Sequence, residues 1–337
     1  SCRHRCRRKE PLHSDRRAGS FERVITGTGT ETIQLFSDSA VINWTPNDNQ
    51  GTGNINFLPV GNTATFENGD SGLTDFSVLN RILPSDSGRI VELNGAVVSQ
   101  LQTQAGTVRG GTVAFYTPGG IIVGANATFD VGNLLLTTLD PVFDPQTGEF
   151  FAFNTYNLTQ ATTPGSAITV LPGAQINAPN EGSYIAMAAP RVEQGGTVRV
   201  NGAAAYVGAE AVDLSINNGL FDIFISSGTS DAQGVVHTGL TGGPASTVAG
   251  DNHRIYMVAV PKNQALTMLL EGNVGFDVAT GATVENGQIV LSAGHSVFDT
   301  SFAVPATGDA SLHISGGDWT SDVLGLAAAD IFAATDT

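Results

Sequence analysis

The sequence predicts an all-β chain wound as a right-handed parallel β-helix, a solenoid with an N-terminal cap and β-hairpin excursions. Three observations carry that prediction. Short apolar alternations recur along the chain, broken by Gly or Asn, which is the pattern of half-buried strands and tight corners. Gly is abundant (41 residues) and charged residues are scarce (14%, against about 25% in an average globular protein). The inward candidates are small or aliphatic and aromatics make up only 7%, which suits stacked narrow turns better than the wider core of a β-sandwich.

The repeats run in order. ANATFDVGNLLLTT at 125–138, PGAQINAPNEGSYIAMAAP at 172–190 and TGATVENGQIVLSAG at 280–294 share one plan. A small residue opens an inward pair, a turn follows, and a second pair closes the unit. The first pairs are Ala127/Phe129, Ala174/Ile176 and Ala282/Val284; the second are Leu134/Leu136, Ile185/Met187 and Ile289/Leu291. GGTVRVNGAAAYVGAE at 195–210 keeps the beat with Val198/Val200 and, by the same reading, Ala205/Val207. Strands this short are stable only when stacked. At about 20 residues per turn and about 4.8 Å per step, a rod of about 60–75 Å is expected. The turn-rich stretches 143–165 and 216–253 interrupt the repeats and read as hairpins packed on the side. TIQLFSDSAVINW at 32–44 is expected to cap the N-terminal edge, which would otherwise invite stray pairing.

Charge divides the chain. Seven of the fifteen basic residues fall in the first seventeen positions, with Cys2 and Cys6, the only cysteines. From residue 18 onward 8 basic side chains face 29 acidic ones, a net of −21. Such a body disfavours nucleic acid and anionic membranes, and no disulfide can hold it together. No stretch of 18 apolar residues is present, so no spanning helix is expected. Residues 1–20 read as a basic leader outside the fold, and a zinc site from Cys2, His4 and Cys6 lacks a fourth ligand.

A β-helix can also carry polysaccharide lyases and hydrolases, which need clustered carboxylates with a nearby base. Arg109, Arg191 and Arg199 have no dense acidic neighbourhood in sequence, and Glu67, Asp70 and Asp75 read as a solvated loop beside a Gly turn. Asp140 and Asp144 flank Pro141 as turn formers. His237, His253, His295 and His313 lack metal-ligand spacing, although His253 sits between Asp251 and Arg254 in DNHRIY. No catalytic residue, metal or cofactor is expected, and an enzyme is not.

SDSAVINWTP, LNRIL at 79–83, the block GGTVAFYTPGGIIVGANATFDVGNLLLTTLD at 111–140 and GSYIAMAAPRVEQGGTVRVNG at 182–202 resemble the two-partner secretion domain of filamentous-haemagglutinin-like proteins. The family's Asn-Pro-Asn-Gly-Ile turn is matched by Thr117-Pro118-Gly119-Gly120-Ile121, with both Asn positions changed. Asn80 and Arg81 lie in a second family-like stretch, and the family's Asn-Pro-Asn-Leu motif has no counterpart. The resemblance implies a secretion and targeting domain at 21–300 of a large secreted or cell-surface adhesin. Residues 301–337 then begin a further repeat, truncated here. It implies passage through the periplasm, a partner outer-membrane β-barrel transporter, and seeding of β-helix folding outside the cell. A receptor or glycan on a host or neighbouring cell is a further implied partner. The alternative is a filament or sheath subunit that self-associates end to end. If the 117–121 turn is read by the transporter, exposed atoms of Thr117 and Gly119 would do the reading; the changed Asn positions favour a structural turn.

Overall fold

The computed structural model describes residues 12–47, 51–69, 72–161, 163–217, 219–247, 253–278, 287–298, 301–302 and 309–334. Among these, every regular element is a strand. Cys2, His4, Cys6, Asp70, Asp251 and the pair Ala282/Val284 lie outside the described residues.

The strands form nine rungs of three, whose first strands begin at Thr30, Thr63, Ala96, Thr128, Gln175, Thr197, Leu240, Asn273 and Trp319. Each rung lays one strand on each of three faces, and every rung-to-rung pairing is parallel. The first face runs from Thr30–Leu35 to Trp319–Thr320. The second runs from Ser39–Pro46 to Val323–Ala327. The third is a nine-stranded sheet from Ile55–Leu58 to Asp330–Ala334. Eight steps of about 4.8 Å make a stack of about 40 Å, shorter than the sequence reading expects. The rung from Gln175 to Thr197 takes 22 residues, close to expectation, whereas the rung from Thr128 to Gln175 takes 47. The surplus goes into insertions, not into height.

Like stacks on like inside. On the third face Ile55, Val91, Ile121, Ile168, Val192 and Val235 follow one another in register, all 2% exposed or less. β-Branched side chains have few rotamers to lose and fill a pleated surface well. The expected inward residues Ala127, Phe129, Leu134, Leu136, Ala174, Ile176, Ile185, Met187, Val198, Val200, Ile289 and Leu291 all belong to this lumen core. Ala205/Val207 do not. Ala204 and Tyr206 face the lumen, while Ala205 and Val207 face a second core outside it. Both faces of this strand are buried, so the polar–apolar beat that sets phase is missing there.

That second core lies beneath an antiparallel sheet laid over the second face. Its strands are Asp140–Pro141, Thr155–Thr159, the end of Thr197–Asn217, Leu220–Gly228, Val297–Phe298 and Ser301–Phe302. Tyr156, Leu158, Val212, Leu214, Phe221 and Ile223 point down from it. The solenoid answers with small residues, among them Ala114, Ala186, Ala188, Ala203 and Ala205, so the sheets can close tightly. The first excursion matches expectation. The second begins earlier than residue 216, because Thr197–Asn217 runs straight on, and Val235–His237 and Leu240–Gly243 within 216–253 are already back in the rungs.

The segment 32–44, expected to cap the edge, is instead part of the first rung. Its alternation is that of any rung. The strands before it cover it: Phe21–Gly27 pairs antiparallel with Thr30–Leu35, and Leu12–Ala18 with Ser39–Pro46. Strand pairing therefore begins inside the stretch 1–20.

Candidate functional site

The two family-like motifs meet. Ser77–Ile82 lies beside Thr112–Tyr116 with Asn80 opposite Phe115 and Arg81 opposite Tyr116, one residue before the 117–121 turn. Alternation then sends the neighbours to opposite sides of the second face. Asn80 is fully buried toward the lumen. Its Oδ1 accepts the Trp44 indole N–H at 3.0 Å and its Nδ2 donates to the Ala114 carbonyl at 3.2 Å. These bonds tie three successive rungs together. Arg81 points outward, 16% exposed, with one guanidinium nitrogen donating to both Asp140 oxygens at 2.8 and 2.9 Å. Its guanidinium also lies 5.3 Å from the Tyr116 and Phe143 ring centroids. Arg81 thereby pins the start of the first excursion to the rungs.

The turn is the corner between the second and third faces of the third rung, and residues 117–121 are all buried. Thr117 is 0% exposed, and no hydrogen bond reaches its Oγ1. Gly119 lies on the chain of the preceding rung, where a Cβ would come 2.2 Å from the Arg89 carbonyl oxygen. Gly120 has φ +133°, and its carbonyl accepts the Val91 N–H at 2.9 Å. Ile121 enters the aliphatic stack between Val91 and Ile168. Thr117 is fully covered and Gly119 is buried against residues 88–89, so the folded turn presents little of either to a reader. Gly120→Val is expected to cost about 1–3 kcal/mol, since a bulky residue must adopt a glycine conformation. Thr117→Val removes an unsatisfied hydroxyl at nearly constant shape and is expected to leave the melting temperature unchanged or raised. Melting curves of the two variants check both.

A buried polar network escapes the sequence reading. On the third face the column Leu93, Val123, Val170 continues with Gln194 and His237 before returning to Leu270. His237 Nδ1 lies 2.6 Å from the Glu271 carbonyl, which can only accept, so Nδ1 carries the proton. Nε2 then accepts from Thr241 Oγ1 at 2.9 Å, and Thr241 in turn accepts from Tyr206 at 2.8 Å and from Gln194 Nε2 at 3.1 Å. Burial pushes the His237 imidazole down to about 4, against the raising effect of the Glu271 carbonyl. The sequence signal is a polar residue at an inward position of two neighbouring repeats, visible only once the register is known.

The remaining candidates stay apart. Glu67 is held by Gln34, Gln100 and Gln102 at 3.0–3.1 Å; these bonds outweigh burial and keep its carboxyl below the ordinary range. Asp75 accepts the Phe76 N–H instead, and Asp144 accepts those of Gln146 and Thr147 in a turn. Arg191 pairs with Glu193 and Asp231. Buried His253 bonds Asn201 at 2.9 Å, whereas His313 stacks near Phe332 on the outside. Among the described residues no three His, Cys, Asp or Glu are grouped to hold a metal ion.

No protein-family profile and no curated protein matches the chain. Solved structures do. The filamentous hemagglutinin secretion domain matches with a TM-score of 0.49 at 16% identity, over 96% of this chain and 100% of that one. The HMW1 secretion domain from Haemophilus influenzae matches with a TM-score of 0.57 at 18% identity, over 93% of this chain and 73% of that one. Both neighbours are secretion domains, and the chain has the all-β, mostly parallel fold of the HMW1 secretion domain.

Proposed function

We propose that this chain is the secretion domain of a large surface-exposed or released adhesin of the filamentous-haemagglutinin-like kind. A partner outer-membrane β-barrel transporter receives it from the periplasm, and outside the cell it starts the folding of a longer β-helix. The observation that carries this reading is the three-faced parallel stack, which has the fold of the HMW1 secretion domain, with antiparallel strands over one of its ends. At one end, antiparallel strands occupy the edges of the first and second faces and serve as an N-terminal cap. At the other, Val323–Ala327 and Asp330–Ala334 pair on one side only among the described residues. Leu324 and Ile331 stack on the buried Ile289 and Leu312, so they hold lumen positions, yet they are 47% and 44% exposed.

The winding is right-handed, as about 98% of parallel crossovers are. Residues 1–20 are a leader, of which 12–18 supply the cap strand over the second face; 21–300 form the secretion domain; 301–337 begin the following repeats. The filament alternative needs two open ends, and the antiparallel strands at one end speak against it.

The test co-expresses the chain, with a periplasmic export signal and a β-helical passenger fused behind it, with and without a two-partner barrel. The chain is expected in the medium only with the barrel; equal release without it would overturn the proposal. Leu324→Asp with Ile331→Asp is expected to leave export intact while the passenger stays protease-sensitive outside.

A further inference from the structure

The first face carries an outward column that runs the length of the stack: Thr32, Thr65, Val98, Asp130, Asn177, Arg199, Gly242, Gly275 and Thr320 lie in unbroken register. Among the described residues the overlying antiparallel sheet does not cover this face, although the hairpin strand Gly106–Arg109 pairs with Ala96–Thr103 at its edge. Where the column reaches Gly242 and Gly275 it has no side chains, and their backbones close on the next rung. A Cβ on Gly242 would meet the Gly275 carbonyl oxygen at 2.1 Å, and one on Gly275 that of Thr320 at 2.0 Å. The result is a depression of about 170 Å³ flanked by Arg199, Asn273, Asp277 and Asp318. Beyond Arg199 a second depression of about 440 Å³ is lined by Arg109, Asp130, Asn177 and Asn201. Arg199 borders both, so they form one trench crossing the rungs.

We propose that this trench binds a neutral oligosaccharide laid along the solenoid axis, a site independent of the secretion reading. Three features select that chemistry. A ligand crossing strands cannot use their backbone groups, which the parallel ladders already consume, so an added peptide strand has no place here. Recognition falls to side chains, and the trench offers guanidinium, amide and carboxylate groups at successive rungs. Such groups present donors and acceptors together, as vicinal hydroxyls require. Charge argues for a neutral chain. Arg109 is paired with Asp130 at 2.6 Å and Arg199 with Asp277 at 3.5 Å, and Asp318 remains on the acidic side, within a body of net charge −21. Polyanions are repelled. Pro179 and Pro244 border the second depression and supply apolar surface for the C–H faces of sugar rings, while the glycine floor lets a ring lie against the backbone.

The experiment titrates the purified chain with hexasaccharides of β-1,4-glucan, chitin, mannan and galactan, and with heparin, by calorimetry. Binding to at least one neutral hexasaccharide is expected, weaker for its disaccharide. Arg199→Ala combined with Asp277→Ala should lower that affinity at least tenfold. Both side chains are about half exposed or more, so the melting temperature should not move. Export through the barrel should be unchanged in the same variant, which separates this site from the secretion role. Absence of binding to all four neutral hexasaccharides would overturn the proposal. So would affinity unaltered in the variant, or heparin bound more tightly than any of them.

Discussion

Aspartate in place of Val198 is expected to cost about 3 kcal/mol or more, enough to unfold a marginal domain at ambient temperature. Val198 is 0% exposed and stacks in the lumen between Ile176 and Thr241. A carboxylate there has neither water nor a cation, and the packing of the valine is lost as well. The next residue makes the control. Arg199 is 47% exposed on the other side of the strand, so Arg199→Ala should change stability by less than about 0.5 kcal/mol. Chemical denaturation of the two variants reads the difference. Equal effects would mean that the strand is turned by one residue, which would exchange its two faces.

Acid is expected to weaken the fold through His237. Its imidazole is held near 4 inside the lumen but titrates near 6.5 in the unfolded chain. Above pH 6.5 both states hold it neutral and stability is unaffected. Between pH 6.5 and about 4 the unfolded chain binds the proton and the folded one does not, so stability falls as pH falls, by about 3 kcal/mol in all. Below that the folded state also protonates and the loss stops growing. Protonation would place a second N–H against Thr241, whose hydroxyl already accepts from Tyr206 and Gln194. His237→Leu removes the titrating group and extends the aliphatic column from Leu270 as far as Gln194. It should flatten the melting-temperature profile between pH 4.5 and 7 relative to the unaltered chain; profiles of equal slope would assign the acid sensitivity elsewhere.

Alternation made the rungs legible wherever one side of a strand faces water. Phe129-Asp130-Val131 and Val198-Arg199-Val200 announce both the inward pair and the outward residue between. Legibility ends where both sides are covered. In the run Ala203–Val207 every residue is apolar and buried, so composition cannot say which alanine looks inward, and Ala205/Val207, expected inward, face the outer core instead. Rung length was equally hidden, because an insertion adds residues to the count without adding a step. The corner at 117–121 was legible as a turn from Pro118 and Gly120. Its burial was not, since that depends on Arg89, thirty residues earlier, lying beneath it. The trench follows the same logic. Asp130, Asn177 and Arg199 occupy ordinary outward positions, and only the register lines them up.

The overlying antiparallel sheet also sets an order of events. Val41 and Leu79, on the first two rungs, share their outer core with Phe150 and Tyr156, and Ser39 donates to the Gly148 carbonyl at 2.7 Å across 109 residues. Later rungs wait similarly for Phe221 and Ile223. A chain that emerges from its N-terminus can wind its first rungs at once but keeps a greasy flank until residues near 158 arrive. It keeps a second such flank until residues near 228 arrive. Progress would then be stepwise, with two lengths at which the emerging chain becomes abruptly harder to pull back. Truncations ending shortly before and shortly after each length should differ sharply in resistance to protease, while truncations within either interval should not.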